Sequence, residues 1–217
     1  MPRKYKKRNY RKKANAKLYK ELGPLKTQQL VKFNYGEHFD INPGAGTAGQ
    51  YVFSCNGLFD PNISGIGHQP RGFDQVMTLY DHYVVVGSKI TVYAWNPDTV
   101  YGAMVSVHIQ DTSTTTTDIE NVLERRNARS KLVSSRNGGI DNCIISYKVN
   151  PNNFLGRSKP LSDPNLKGNT SANPSEQCYF VVSVAGMNDL ADIGGIACYA
   201  KIEYTAVLIE PKQPTKS

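Results

Sequence analysis

The stretch "IACYAKIEYTAVLIE" repeats with a period of two. Ile196, Cys198, Ala200, Ile202, Tyr204, Ala206 and Leu208 fall on one side, and Lys201, Glu203 and Thr205 on the other. Side chains of a β-strand alternate between faces, so the pattern fits a strand with one buried face; an amphipathic helix would repeat its apolar residues every three or four positions. The same grammar recurs. Ala103, Val105, Val107 and Ile109 oppose Met104, Ser106, His108 and Gln110, while Ile90, Val92 and Ala94 oppose Lys89, Thr91, Tyr93 and Trp95. Cys143, Ile145, Tyr147 and Val149 share one face of "NCIISYKV", and Cys178, Phe180, Val182 and Val184 one face of "CYFVVSVAG". Shorter candidates are "QQLVKFNY", "QYVFSCNG" and "SKLVSS", the last joined by an Asn137-Gly138-Gly139 turn to the strand near Asn142. About eight strands without βαβ alternation predict an all-β antiparallel sandwich or barrel.

Two helical islands interrupt the strands. Phe73, Val76, Met77 and Tyr80 are spaced i, i+3, i+4 and i+7 along one face of a short helix, and Ile119, Val122 and Leu123 mark a weaker one in "DIENVLERR". Connections at 112–117 ("TSTTTT") and from about 150 to 177 are long, as in domains whose loops make contacts.

Charge divides the chain differently. Its first twenty residues hold Arg3, Lys4, Lys6, Lys7, Arg8, Arg11, Lys12, Lys13, Lys17 and Lys20 with no carboxylate beyond them until Glu21. These are ten of 26 basic residues, so the remaining 197 carry sixteen cations against eighteen acids, and the opening segment accounts for the whole +8. Such a block repels itself and buries little, which predicts a disordered arm over 1–24 preceding a folded domain over 25–217. A polyanion is its natural partner, since each cation placed on a phosphate releases condensed counterions. Tyr5, Tyr10 and Tyr19 lie among the cations and can stack on unpaired bases. The same cluster reads as a nuclear-import signal for import receptors. No apolar h-region follows the charges and no run of 18 apolar residues exists, so neither a secretory signal nor membrane insertion is expected. A second cluster, Arg125, Arg126, Arg129, Lys131 and Arg136, is either a solvated loop or a basic patch for nucleic acid or a sulfated glycan.

No catalytic, cofactor or metal site is expected. "GAGTAG" at 44–49 matches a dinucleotide fingerprint in letters alone: Pro43 precedes it, and a strand rather than a helix follows, so a loop is predicted. His38, His68, His82 and His108 show no metal spacing, and His108, on the polar face of its strand, is predicted to be a satisfied hydrogen-bonder. The "DPN" tripeptides at Asp60 and Asp163 suit turns better than calcium loops. Cys55, Cys143, Cys178 and Cys198 form no CxxC pair and are predicted to be reduced core residues; the sequons at Asn62 and Asn169 are read as incidental.

The segment from Asn56 to Val92, "NGLFDPNISGIGHQPRGFDQVMTLYDHYVVVGSKITV", resembles the coat proteins of circoviruses and circovirus-like small circular single-stranded DNA viruses. The matching pieces are the "GHQP-GFDQ" junction, the short helix ending in "LYDHY" and the "GSKI-V" strand, about 37 residues. The resemblance implies one eight-stranded jelly roll, with the helix joining the sheets of the third and fourth strands. It also implies self-assembly into an icosahedral shell of sixty copies with the arms on a single-stranded DNA genome, and residence in the virion and, during assembly, the host nucleus. Family arms are mostly arginine, whereas this one sets Arg3, Arg8 and Arg11 against seven lysines. Lysine lacks the planar fork of arginine, so looser, non-specific phosphate contact is expected.

Overall fold

The alternation read in 196–208 becomes β8 (Ile196–Pro211), whose inward residues are buried from Ile196 to Leu208 while Lys201 is exposed. The computed structural model describes residues 25–213. β8 is central in its sheet: it pairs on one side with β1 (Gln28–Ile41) and on the other with β3 (Tyr80–Trp95), which in turn pairs with β6 (Asn142–Val149). The second sheet holds β2 (Ala48–Ser54), β7 (Tyr179–Gly186), β4 (Ala103–Gln110) and β5 (Arg129–Val133). All ladders are antiparallel, and the orders β1-β8-β3-β6 and β2-β7-β4-β5 define an eight-stranded double-sheet jelly roll.

The inner faces meet in one core. Phe33, Tyr35, Phe39 and Ile41 from β1 pack with Phe53, Val105, Val107, Phe180, Val182 and the inward residues of β8. Phe53 meets Phe39 edge-on at 5.2 Å between ring centroids. Burying each such Val, Ile or Phe contributes roughly 1.5–3 kcal/mol relative to exposure. The Tyr204 hydroxyl, deep in this core, donates to Ser54 O across the sandwich at 2.7 Å, so its polar atom is satisfied. All four cysteines are free and buried, as expected.

The Asn56–Val92 segment has a physical logic of its own. The chain after β2 turns back along it, with Ser54 N donating to Pro61 O and Ile63 N to Val52 O, and so covers that sheet edge. Gly67 is needed there, because a Cβ would lie 2.5 Å from Asn62 Cβ and 2.9 Å from the Tyr35 hydroxyl. Helix α1 (Phe73–Met77) then crosses from one sheet to the other, burying Phe73 and Met77. Phe73 sits between Phe33 (6.1 Å) and Tyr83 (5.5 Å), both edge-on.

Four expectations are corrected. Helix α1 joins β2 to β3, not the third and fourth strands, and it stops before "LYDHY". Tyr80 therefore opens β3 opposite Pro211; it reaches the core from a strand, and its hydroxyl donates to Lys26 O. The Asn137-Gly138-Gly139 turn makes no hairpin. Ser134 N bonds Ile140 O, a 3-10 turn fills 136–138, and the chain passes from the edge of one sheet (β5) to the edge of the other (β6). The long connection expected over 150–177 is not one continuous loop: it holds α3 (Pro151–Phe154) and two 3-10 turns. Leu166 from this segment packs on Val84 and Ile209, and Asn152 Nδ2 donates to Val85 O where β3 bulges.

Finally, the polar face of β4 is not exposed. The threonine loop at 112–117 folds over it: Gln110 Nε2 donates to Thr112 O and Thr114 O, Thr116 N donates to Gln50 Oε1, and Ala48 N to Thr117 O. Ser106, His108 and Gln110 are all buried.

Candidate nucleic-acid interface

The arm residues Arg3, Lys4, Tyr5, Lys6, Lys7, Arg8, Tyr10, Arg11, Lys12, Lys13, Lys17 and Lys20 lie outside the described residues. The second cluster lies inside them. Asp118 caps α2 (Ile119–Leu123), its Oδ1 accepting from Glu120 N at 2.9 Å and Asn121 N at 3.2 Å. Val122 plugs the buried side of that helix, whereas Leu123 is exposed. After one turn the chain reverses through Ala128 N to Arg125 O and enters β5 at Arg129. This places Arg125, Arg126 and Arg129 around one open cleft of about 760 Å³, together with Tyr147 and Phe154 and one facing acid, Asp111.

Arg129 is fixed there. Position 129 opposes inward-facing Val107, so the guanidinium projects across the gap between the two sheets' edges. Its Nη1 donates to Ser146 O at 2.7 Å, and its carbon stands 4.9 Å over the Tyr147 ring. Arg125 Nη2 reaches Asn121 Oδ1 at 3.3 Å and leaves its Nε without a partner. The cleft thus offers guanidinium donors and two aromatic rings, a fit for phosphate or sulfate with a planar neighbour.

The other two members do not join. Lys131 lies beside Cys143, where it opposes the upward push that burial gives the thiol. Arg136 stands past the far end of β5, near Asp141, with its backbone N bonded to Asp98 O. The hydrogen bond from Trp95 chiefly, and the Arg136 charge in addition, help to lower the pKa of the Asp141 carboxyl.

His108 departs from its expected role. Its Nε2 finds only Gln110 Oε1, at 3.4 Å, and its Nδ1 has no partner. Burial first, and the nearby Arg125 charge second, push its pKa down to about 4. Among the described residues no three His, Cys, Asp or Glu side chains gather as metal ligands, and no helix is long and apolar enough to cross a membrane. Of the "DPN" acids, Asp163 does turn work: its Oδ1 accepts from Asn165 N at the start of a 3-10 turn, and it pairs with Arg157; Asp60 is held through its backbone, by Asn173.

Sequence reasoning missed a third feature. Tyr93 and Trp95 were placed opposite the core, but not the exposed His38 and Tyr199 that stand next to them across the sheet. The available signal was aromatic residues on the polar side of amphipathic strands.

No protein-family model and no curated protein matches the chain. Among solved structures it is similar to a semi-empty virus-like particle of the giant freshwater prawn Macrobrachium rosenbergii nodavirus, at 10% identity, covering 89% of this chain and 100% of that one with a TM-score of 0.49. It is also similar to the BFDV capsid protein in its 60-mer form, at 11% identity, 88% and 100% coverage and a TM-score of 0.48. A third similar structure is desmodium yellow mottle tymovirus, at 13% identity, 88% and 92% coverage and a TM-score of 0.46. The fold assignment rests on the strand pairing itself.

Proposed function

We propose that this chain is the coat protein of a small virus: residues 25–217 build an icosahedral shell of sixty copies, and residues 1–24 hold a single-stranded DNA genome inside it. One observation carries the reading. A near-neutral jelly roll begins at Gln28, shortly after residues 1–24, which hold ten cations and one acid, Glu21. A jelly roll presents loops at both ends for neighbouring copies. A segregated cationic arm adds little to such a fold but neutralises phosphates without regard to sequence. The resemblance of Asn56–Val92 to circovirus coat proteins supports DNA and the count of sixty. Ten charges on each of sixty arms pool weak contacts into retention of the genome. The arm also serves nuclear import through receptors that read basic clusters, so that assembly takes place in the host nucleus and the product is the virion. The Arg125, Arg126 and Arg129 cleft is an anion site, for genome phosphates on an inward surface or cell-surface sulfated glycans on an outward one.

Deleting residues 1–20 tests the arm. The truncated protein is expected to fold and to form shells whose ratio of absorbance at 260 to 280 nm is that of protein alone. Equal nucleic-acid content in truncated and full-length particles would overturn the assignment.

A further inference from the structure

The outer face of the β1-β8-β3-β6 sheet is two surfaces in one. Near the start of β3 it is covered, with Val84 and Ile209 under Leu166. Towards the other end it is open, and the ladder registers align its residues in rows. His38, Tyr199, Tyr93 and Ile144 are directly opposed across all four strands. Trp95 stands two residues further along β3, on the same face as Tyr93. Tyr199 is 59% exposed, Ile144 52%, Tyr93 44% and Trp95 41%. These residues wall a shallow depression of about 430 Å³. An apolar surface of this kind, held open on a rigid sheet, marks an interaction site.

The chemistry beside it narrows the partner. Two residues back along the same face lies Lys201, and two further back Lys89 and Lys148 form a directly opposed pair. With Lys32, four lysines stand at this end of the face against Glu203, which bridges Lys89 at 3.5 Å and Lys201 at 3.6 Å, while Asp40 and Asp141 lie at the Trp95 end. Like charges directly opposed across strands are destabilising; Glu203 offsets Lys89, whereas Lys148 pairs with no acid among the described residues. Same-face rows are about 6.7 Å apart, so Lys201 lies one row from Tyr93 and Tyr199, and Lys89 and Lys148 lie two rows from them. The rings are also held in place: Trp95 Nε1 donates to Asp141 Oδ2 at 2.9 Å, and His38 and Tyr199 lie 4.8 Å apart. A polyanion with planar bases meets both halves of this surface, its phosphates the lysine rows and its bases the aromatic row.

We propose that this open half of the sheet is a platform for single-stranded nucleic acid, with unpaired bases stacking on Tyr199, Tyr93 and Trp95 and phosphates lying over Lys201, Lys89 and Lys148. The proposal rests on the reading of the chain as a nucleic-acid-packaging coat protein. It adds to the arm a site on the folded body that recognises bases as planar groups; contact through the platform, with three lysines against the arm's ten cations, depends less steeply on salt than arm contact.

Trp95 is the only tryptophan of the chain, so its emission reports on the platform directly. The experiment titrates full-length protein in 0.5 M salt with a twelve-residue oligo(dT), and separately with inorganic polyphosphate of matching charge. Binding of labelled oligo(dT) is followed in parallel by anisotropy. Oligo(dT) is expected to quench Trp95 and polyphosphate to leave it unchanged. Tyr93→Leu and Tyr199→Leu are each expected to weaken oligo(dT) binding on the order of ten-fold with unchanged circular dichroism. Oligo(dT) binding with unaltered Trp95 emission would overturn the platform while leaving the packaging role standing. Absence of oligo(dT) binding by anisotropy at low salt as well would overturn both. A Trp95 shift that follows protein concentration without nucleic acid would assign the face to a second copy and refute the proposal.

Discussion

Acid should unlock the threonine-loop side of the second sheet through one side chain. His108 is buried with an unpartnered Nδ1, and its Nε2 faces a carbonyl-type acceptor on Gln110, so the neutral ring protonated at Nε2 fits the site. A second proton would place an N–H without an acceptor and a charge beside Arg125. The native pKa of about 4 lies below the ordinary 6.5, so the unfolded chain takes up the proton first. The contribution is therefore complete above pH 6.5, is lost as pH falls towards 4, and does not grow below that. A gap of this size corresponds to about 3 kcal/mol across the window. For a domain of this length that is a fall in Tm of roughly 6–12 °C. Thermal melts of wild type and His108→Gln from pH 7 to pH 4 separate this group from the carboxylates, which titrate in both. The variant should lose much less stability over that range. Parallel curves for the two proteins would refute the reasoning.

Phe73→Ala and Tyr80→Ala should each cost about 3–5 kcal/mol in denaturant unfolding, because both side chains are buried in the main core; unchanged midpoints would show the packing to be otherwise. Gly168→Ala should destabilise by about 3 kcal/mol or prevent folding. Its Cβ would intrude on the Tyr83 ring, which cannot retreat, since Tyr83 is buried and its hydroxyl accepts Leu58 N at 2.9 Å. Wild-type stability in that variant would contradict the close approach. For unassembled full-length protein on a long single strand, the ten arm cations should contribute about −7 to the log–log salt slope, on top of the body's own contacts. Residues 21–217 should show a markedly shallower slope, and equal slopes would place the binding charge in the body.

The strands were legible because each buries one face against the other sheet, which writes a period of two into Ile196–Leu208 and Ala103–Ile109. The pattern does not say what covers the second face. His108 and Ser106 therefore read only as members of a polar face, although both are fully buried, with a threonine loop bonded to Gln50 and Gln110 on the same side of the sheet. Tyr80 shows the same limit: helical spacing and a strand after a short helix can bring the same residue to one core. The hairpin expected at Asn137-Gly138-Gly139 failed because turn chemistry is local, whereas the choice between pairing β5 with β6 and sending them to opposite sheets depends on edges offered by β4 and β3. Of the basic cluster, the three arginines that face one cleft lie within five residues of one another. Lys131 and Arg136 were separated by strand direction, which composition does not carry. The aromatic row required registers across four strands and was beyond any single segment.

Electron microscopy of purified full-length protein at moderate salt, with and without DNase or RNase, tests the shell and its contents together. Uniform closed particles near 20 nm, with nucleic acid that DNase removes once the particles are opened and RNase does not, are the expected result. Contents removed by RNase alone would contradict the DNA genome, and fields without particles across pH and salt would contradict the coat-protein role.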